Sequence, residues 1–585
     1  MIWASVNVFP TTPSAKDASR LPWGCVAAPL GVAVGDNYTS SCRDDLDFAE
    51  TFDAALRVDR MDSGEESRSS SAENDGSCTA PRCLECGAYA NSLCARDRWG
   101  WSCCLCGARG EEFLNSLSST LIKRTGAIAV HDFPAADDVG EGDNKYLKPN
   151  VVGCIFIVSG KTMSNAGARA ALESSAASLL REATALRFAV VGVFENTCAL
   201  VDFRHSRPHI LKFSAVRLGV EASAELICSA MFDCAGKGST LTQKSCNLNA
   251  ALHSLSLVRG IKNNDFPASV ELVTGCVAAL ETLRGGQIAL IAPVEKKSAF
   301  GDVAVRAAHS GITVDAMRAS SSFRDKKAEF PLVDISGGVV FDSLDELCGI
   351  AASRRAWRLM MRVRTSPQFK VSDEPLRYPL VPCNVHAGVW RMGSCSPSTT
   401  VAFGLSFTSS SGFDGAGRLP AVQIAALYWS SDLQERRLRV CTARYQTSSS
   451  PSKILLSCSS DVAMRLLWEQ AAAMKEEEEC CGSSSNAEDD IYENHPISEW
   501  AQRLRGAFGD DTRRSDALES LLRGAAAIAS LLKRSDARAK IWLAHVHPES
   551  FCKAVADAER RAVAQSADVL AQALLPGSGQ IEEEN

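Results

Sequence analysis

The sequence lacks long apolar runs. The longest, such as Val151 to Val158, reach about eight residues, against the roughly 20 needed to cross a bilayer as a helix. Its opening, Met1 to Pro10, has no basic flank followed by an apolar run, so a secretory leader is not expected and the thiols are predicted to sit in a reducing compartment. Gly-x-Ser-x-Gly, a Walker loop and His-Glu-x-x-His are all absent, which removes the commonest signatures of serine hydrolases, nucleotide triphosphatases and zinc proteases. No repeat of 20 to 50 residues is visible, which argues against solenoids and propellers. Histidine is scarce, with nine in all, and His545 and His547 near the end read as surface or satisfied core residues.

What remains is ample for several domains. The chain has 585 residues with 46% hydrophobic, 22% charged and 7% aromatic side chains, the balance of a folded globular protein. Its 23 cysteines, in a reducing compartment, point to metal binding or plain burial before disulfides. Charge is unevenly placed: the formal net charge of −7 resolves into −8 between Gly35 and Ser77, −8 between Glu476 and Glu493, −3 at Glu582 to Glu584, and +12 on everything else. The first tract, rich in Ser and Asp, reads as a disordered insertion, and the second as a solvated loop. A basic body suits an anionic surface, either membrane or nucleic acid.

Along the chain the pattern is a mosaic. Residues 1–34 carry short apolar segments broken by Pro10, Pro13, Pro22 and Pro29, which suggest edge strands and turns, with no helix, that must dock elsewhere. Between 120 and 350, Val151 to Val158 and Phe188 to Phe194 read as buried strands around an Ala-rich helical stretch from Ala166 to Ala183. Ile288 to Ala292, Thr313 to Met317 and Gly338 to Phe341 continue the alternation, and a doubly wound α/β domain is expected. From 355 to 450, Thr400 to Phe407, Ala421 to Trp429 and Arg437 to Arg444 read as strands of an all-β module. Helical periodicity at Ala517 to Leu532 and Phe551 to Leu575 predicts a helical end.

The strongest local signal is a cysteine block at 78–115. Cys83 with Cys86, and Cys103 with Cys106, form two CxxC pairs separated by 16 residues. Each tight turn can offer two thiolates to one edge of a Zn²⁺ tetrahedron, and four cysteines leave no open position, so the predicted site is structural. Cys94 and Cys104 compete as ligands, with burial as their simpler role, and Cys78 is an alternative to Cys83. The block lacks aromatic residues interleaved with a Lys and Arg cluster, which counts against the alternative of a zinc-ribbon module for nucleic acid.

Several segments resemble one family. The block with Asn91-Ser-Leu-Cys94 and Trp101-x-Cys103-x-x-Cys106 is similar to the ribbon of the COPII inner-coat subunits, the Sec-twenty-three and Sec-twenty-four proteins. Val6 to Thr12, Arg20 to Leu30 and Trp390 to Ala402 resemble the Sec-twenty-three branch, and Glu435 to Arg444 resembles a segment shared by both branches. The first cysteine pair is spaced as in the cargo-binding branch, so the branch assignment rests on the N-terminal and β-sandwich segments. The resemblance implies a multidomain α+β fold. Residues 1–34 would belong to a β-sandwich completed by 355–450. An acidic insertion at 35–77, a zinc ribbon at 78–115 and a von Willebrand A-like trunk at 120–350 would lie between, followed by a helical domain at 455–575 containing an acidic loop at 476–493, and a tail at 576–585.

By the same resemblance, one structural Zn²⁺ is held by Cys83, Cys86, Cys103 and Cys106. The implied partners are a small Sar GTPase, a Sec-twenty-four type cargo adaptor, outer-coat cage subunits and the anionic cytosolic face of the endoplasmic reticulum membrane, with no nucleic acid. The family's GTPase-activating arginine comes from a gelsolin-like domain beyond the helices. No segment near Asn585 reads as that domain, so no catalytic and no cofactor-binding residue is assigned; Arg513, Arg514, Arg560 and Arg561 are candidates by position alone, with solvated helix faces as their simpler role. One departure concerns the trunk: Val158 is followed by Ser159-Gly-Lys-Thr162, which offers Mg²⁺ no carboxylate.

Overall fold

The computed structural model describes residues 1–30 and most of 80–110, 121–135, 152–174, 186–233, 266–317, 330–341, 356–372, 381–480, 496–508 and 515–533. The acidic insertion expected at 35–77, the acidic residues beyond Cys480, the helix expected at 551–575 and the tail at 576–585 lie outside the described residues.

Val152–Ser159 is buried along its whole length. A strand with no polar alternation can be satisfied only where both faces are covered, which is the situation of a central parallel strand. Leu186–Phe194 and Gly286–Ile291 flank it, both parallel to it. Ile312–Met317 and Val340–Phe341 extend the sheet in parallel on one side, and Thr197–Asp202 and His209–Phe213 extend it antiparallel on the other. The chain therefore starts at the sheet's centre and builds outward first to one side and then to the other, the doubly wound plan expected from the sequence. Helices Val220–Ala230 and Val270–Glu281 pack closely, because a Cβ on Gly275 would lie 3.1 Å from the Ser223 Cβ. Ser269 caps the second helix, its hydroxyl accepting the Leu272 N–H at 3.2 Å, which satisfies one of the first-turn donors.

The β-sandwich has a seven-stranded antiparallel sheet. Its order is Val381–Pro382, Val389–Cys395, Ala356–Thr365, Ala421–Ser430, Glu435–Arg444, Ile128–Pro134 and Leu121–Thr125. The last two strands correct the expected trunk boundary at 120. Ile128–Pro134 pairs with Glu435–Arg444, and its buried Asp132 meets Arg437 at 3.2 Å and Arg439 at 2.7 Å. The facing four-stranded sheet runs Ile2–Ala4, Gly24–Ala27, Val401–Phe407 and Phe369–Val371, so the N-terminal segment docks on strands nearly 400 residues away.

A second correction lies in that segment: Pro13–Ser19 is an α-helix. Pro13 occupies the first turn, where its missing N–H costs nothing, and the Thr12 hydroxyl accepts the Ala15 N–H at 3.3 Å, a Pro-at-the-start signature that resembles a breaker in sequence. Phe9 beside it stacks on Tyr445 at 4.2 Å between ring centroids.

A third correction concerns Glu476–Glu479, expected in a loop, which continue the helix Ser460–Cys480. Glu is a good helix former, and the run extends a helix whose apolar residues are already anchored. Val462 and Leu466 pack on Val26 and Ala402 of the four-stranded sheet. Helices Pro496–Phe508 and Ser515–Lys533 add Leu504, Phe508, Leu521 and Ile528 to the same core as the sandwich.

Candidate metal centre

The cysteine block is two copies of one turn. Cys83-Leu-Glu-Cys-Gly-Ala88 and Cys103-Cys-Leu-Cys-Gly-Ala108 each bond the first cysteine's N–H to the alanine carbonyl, at 2.7 and 2.9 Å, and the glycine N–H back to the first cysteine's carbonyl, at 2.9 Å in both. Gly87 and Gly107 sit at φ +67° and +78°, the left-handed region that glycine enters without steric cost. The Gly-Ala after each CxxC was a legible sequence signal that spacing alone overlooks. Between the turns, Ala95–Asp97 and Gly100–Ser102 form a hairpin that folds the second turn back over the first.

All four sulfurs of Cys83, Cys86, Cys103 and Cys106 lie within 4.8 Å of one another. Cys83 and Cys106 are 3.5 Å apart, and Cys86 and Cys103 are 3.6 Å apart. A tetrahedral ion with metal–sulfur bonds of about 2.3 Å requires sulfur separations of about 3.8 Å, so the donor set fits such an ion. Hydrogen bonding with the Cys86 thiol pulls Cys103 down to about 5 despite partial burial, while that same hydrogen bond, with burial, pushes Cys86 up. Burial raises Cys106 to about 11. A divalent cation at the centre would favour thiolate at all four.

The ribbon is fastened to the sandwich by a side chain that acts as a short strand. Buried Gln423 accepts the Tyr89 N–H at 2.7 Å, donates to the Tyr89 carbonyl at 2.8 Å and donates to Thr442 at 3.0 Å. The Ser92 N–H donates to His131 Nε2 at 3.1 Å. Cys83, Tyr89, Trp101 and Leu105 share one core with Phe133, Leu438 and Val440 of the seven-stranded sheet.

Cys94 and Cys104 are free thiols hydrogen-bonded to each other, and the Asn91 amide donates to Cys104 at 3.4 Å; they stand apart from the four-sulfur cluster. Cys78, His545, His547, Arg513, Arg514, Arg560 and Arg561 lie outside the described residues. At the end of the central trunk strand, the Ser159 hydroxyl accepts the Thr162 N–H at 3.2 Å and contacts the Thr162 hydroxyl at 3.0 Å. These groups start the short helix Gly160–Ser164 where a metal-binding A-type domain would carry its carboxylate. No described helix is long and apolar enough to cross a membrane.

A cysteine ribbon, a doubly wound α/β sheet, a β-sandwich and helices sharing the sandwich core define a multidomain α+β protein. The chain is similar to "Protein transport protein SEC23 D" of Arabidopsis thaliana, with 22% identity over 552 residues covering 79% of this chain and 68% of that protein. Its fold superposes on the human COPII-coat protein Sec24c with a TM-score of 0.66 at 14% identity, covering 94% of this chain and 76% of that one. The ArnB paralog VWA2 from Sulfolobus acidocaldarius aligns at a TM-score of 0.30 and 10% identity over 74% of this chain and 96% of that one, too loosely to carry weight. No protein-family profile matches the sequence. The sequence match agrees with the resemblance to the COPII Sec-twenty-three and Sec-twenty-four proteins read from the residues, and the superposition shows that the fold is shared.

Proposed function

We propose that the chain is a COPII coat subunit of the inner shell, acting in protein transport between the endoplasmic reticulum and the Golgi. The observation that carries this reading is the combination, in one chain, of a four-cysteine ribbon docked on a β-sandwich with a fold that follows a COPII-coat protein over 94% of its length. Cys83, Cys86, Cys103 and Cys106 hold a structural Zn²⁺. The domain limits proposed are a sandwich from 1–34, 121–135 and 355–450, a ribbon at 78–115, a trunk from about 150 to 350 and helices from 455 onward. As a scaffold, the protein docks a GTP-loaded Sar GTPase, a Sec-twenty-four type adaptor and the outer cage on the cytosolic face of the endoplasmic reticulum membrane, to which the net +12 outside the acidic tracts is suited. Its activity toward the GTPase is at most that of an activator, and no residue is assigned to it.

Sedimentation with anionic liposomes tests the reading. The protein is expected to pellet when GTP-loaded Sar GTPase is present and to stay in the supernatant with the GDP-loaded form. Equal pelleting with both forms, or comparable binding to DNA or RNA, would refute it. Measuring Sar GTP hydrolysis with and without the protein tests activation separately: a stimulation of roughly 10³ or more requires an arginine finger.

A further inference from the structure

The outer face of the seven-stranded sheet gathers arginines beside the ribbon. Arg362 and Arg364 stand across from Ala425 and Gln423. Ala425 belongs to the ribbon's core and Gln423 bonds the ribbon at Tyr89, so both arginines are on the ribbon side of the sheet. Arg391 stands across from Met360, two residues before Arg362, and by the alternation of a strand shares that side.

The ribbon meets this strip with charge of the same sign. The Arg82 guanidinium lies 4.6 Å from the Tyr89 ring centroid, and that of Arg364 lies 5.4 Å from it. A Cβ on Gly87 would lie 3.7 Å from Arg364 Nε, and one on Gly107 would overlap the Arg418 guanidinium, so each cysteine turn is covered by an arginine of the sandwich. Burial, followed by the charges of Arg362 and Arg82, lowers the Arg364 guanidinium below its ordinary value. Among the described residues none of Arg82, Arg362, Arg364, Arg391 and Arg418 pairs with a carboxylate, Glu85 of the first turn included. Arg364 Nη1 and Arg391 Nε are buried there without a hydrogen-bond acceptor. A Zn²⁺ held by four thiolates keeps two negative charges in excess, which offset the two arginines covering the turns. Arg82, Arg362 and Arg391 remain.

The chain carries the opposite charge and delivers it to this place. The tract from Gly35 to Ser77, outside the described residues, has twelve Asp or Glu against four Arg. The chain on either side of it is held: the Leu30 carbonyl accepts from Arg439 at 2.9 Å, and the Pro81 carbonyl accepts the Ala90 N–H at 2.8 Å. The tract thus enters the ribbon just before Arg82. At about 3.6 Å per residue, Asp75 can stand up to about 18 Å from Ala80, and Glu73 up to about 25 Å. Arg362 is about 7 Å along its strand from Arg364, and Arg391 is one strand further, about 5 Å.

We propose that this arginine face docks the chain's own acidic tract, with carboxylates such as Glu73 and Asp75 set against Arg82, Arg362 and Arg391. The proposal does not rest on the coat reading, because its parts are the ribbon, the sandwich and the tract. Each exposed ion pair contributes little alone, but a short tether gives an effective concentration of about 1 mM. A free affinity of about 0.1 mM would then leave the face occupied about ten to one.

Phenylglyoxal labelling of the full-length protein, read arginine by arginine by mass spectrometry, tests it. The comparison is a full-length variant with every Asp of the tract changed to Asn and every Glu to Gln, Glu73→Gln and Asp75→Asn among them. No described residue is altered, so the folded domains are not put at risk. The exposed Arg82 and Arg362 are expected to label about tenfold faster in the variant, while Arg217, exposed on the trunk, labels equally in both. Salt at about 1 M, which shortens the screening length to about 3 Å, should bring the wild type to the variant's rate. Equal rates at Arg82 and Arg362 in the two proteins would overturn the proposal. So would protection that weakens on dilution, which assigns the acid to a second copy, and protection that arises only with anionic vesicles, which assigns the face to lipid.

Discussion

Replacing Cys106 with serine removes one of four convergent sulfurs and leaves a neutral hydroxyl in its place. Structural zinc in a tetrathiolate site contributes on the order of 10 kcal/mol to the folding of its module, so one thiolate of the four carries roughly 2 to 3 kcal/mol, or about a hundredfold in metal affinity. The structure says where the damage stops. The ribbon core joins Cys83, Tyr89, Trp101 and Leu105 to Phe133, Leu438 and Val440, whereas the core around Ile155, Phe156, Val190 and Leu290 of the α/β sheet takes in Trp357 and Trp429 of the sandwich but none of the ribbon's residues. Competition with a chromophoric chelator should therefore show weakened zinc in Cys106→Ser and Cys83→Ser, and calorimetry should show an early transition for the ribbon with the trunk transition unmoved. Wild-type zinc content in both variants would refute the ligand assignment. Loss of both calorimetric transitions together would refute the separation of cores.

Cys94→Ser and Cys104→Ser are expected to retain one zinc per chain by elemental analysis, because these thiols are hydrogen-bonded to each other and to Asn91 outside the four-sulfur cluster. Gln423→Leu leaves the Tyr89 N–H against an apolar side chain while the Tyr89 carbonyl keeps the Asn91 amide, at a cost of about 1 to 3 kcal/mol; hydrogen exchange at the Tyr89 amide should accelerate while the trunk's amides keep their protection. Asp132→Asn removes the carboxylate that bridges Arg437 and Arg439, whose side chains are 17% and 11% exposed, and should lower stability by about 3 kcal/mol in urea titration.

Parts of this architecture were legible in the residues, for reasons specific to each. Val152–Ser159 and Leu186–Phe194 declare themselves because a strand covered on both faces has no room for polar alternation. The two CxxC turns declare themselves because their spacing is local. What stayed hidden was long-range pairing. Leu121–Thr125 and Ile128–Pro134 carry ordinary strand character, and nothing in it says that their partner is Glu435–Arg444 and not the neighbouring α/β sheet. Pro13 misled in a different way, since proline stops a helix from within and starts one from its first turn. Glu476–Glu479 misled because charge density suggests solvent without specifying loop or helix, and the preceding anchored turns decide the matter.

The same long-range pairing explains why the metal centre and the sandwich are not separable modules. The ribbon's backbone at Tyr89 is bonded by Gln423, which is held in turn by the Thr442 hydroxyl, and the two strands that carry these residues also carry the N-terminal segment's partner core through Ile424 and Cys441. Gln423 therefore faces the ribbon while its neighbour Ile424 faces the sandwich interior, and the alternation of one strand joins the two. A metal bound at the cysteines stabilises the outer face of the seven-stranded sheet, and that sheet in turn fixes the position of residues 1–30. Metal removal should consequently loosen not only the ribbon but also, by a smaller amount, the strands Ile2–Ala4 and Gly24–Ala27, whereas a ribbon that was merely tethered would leave their exchange rates unchanged.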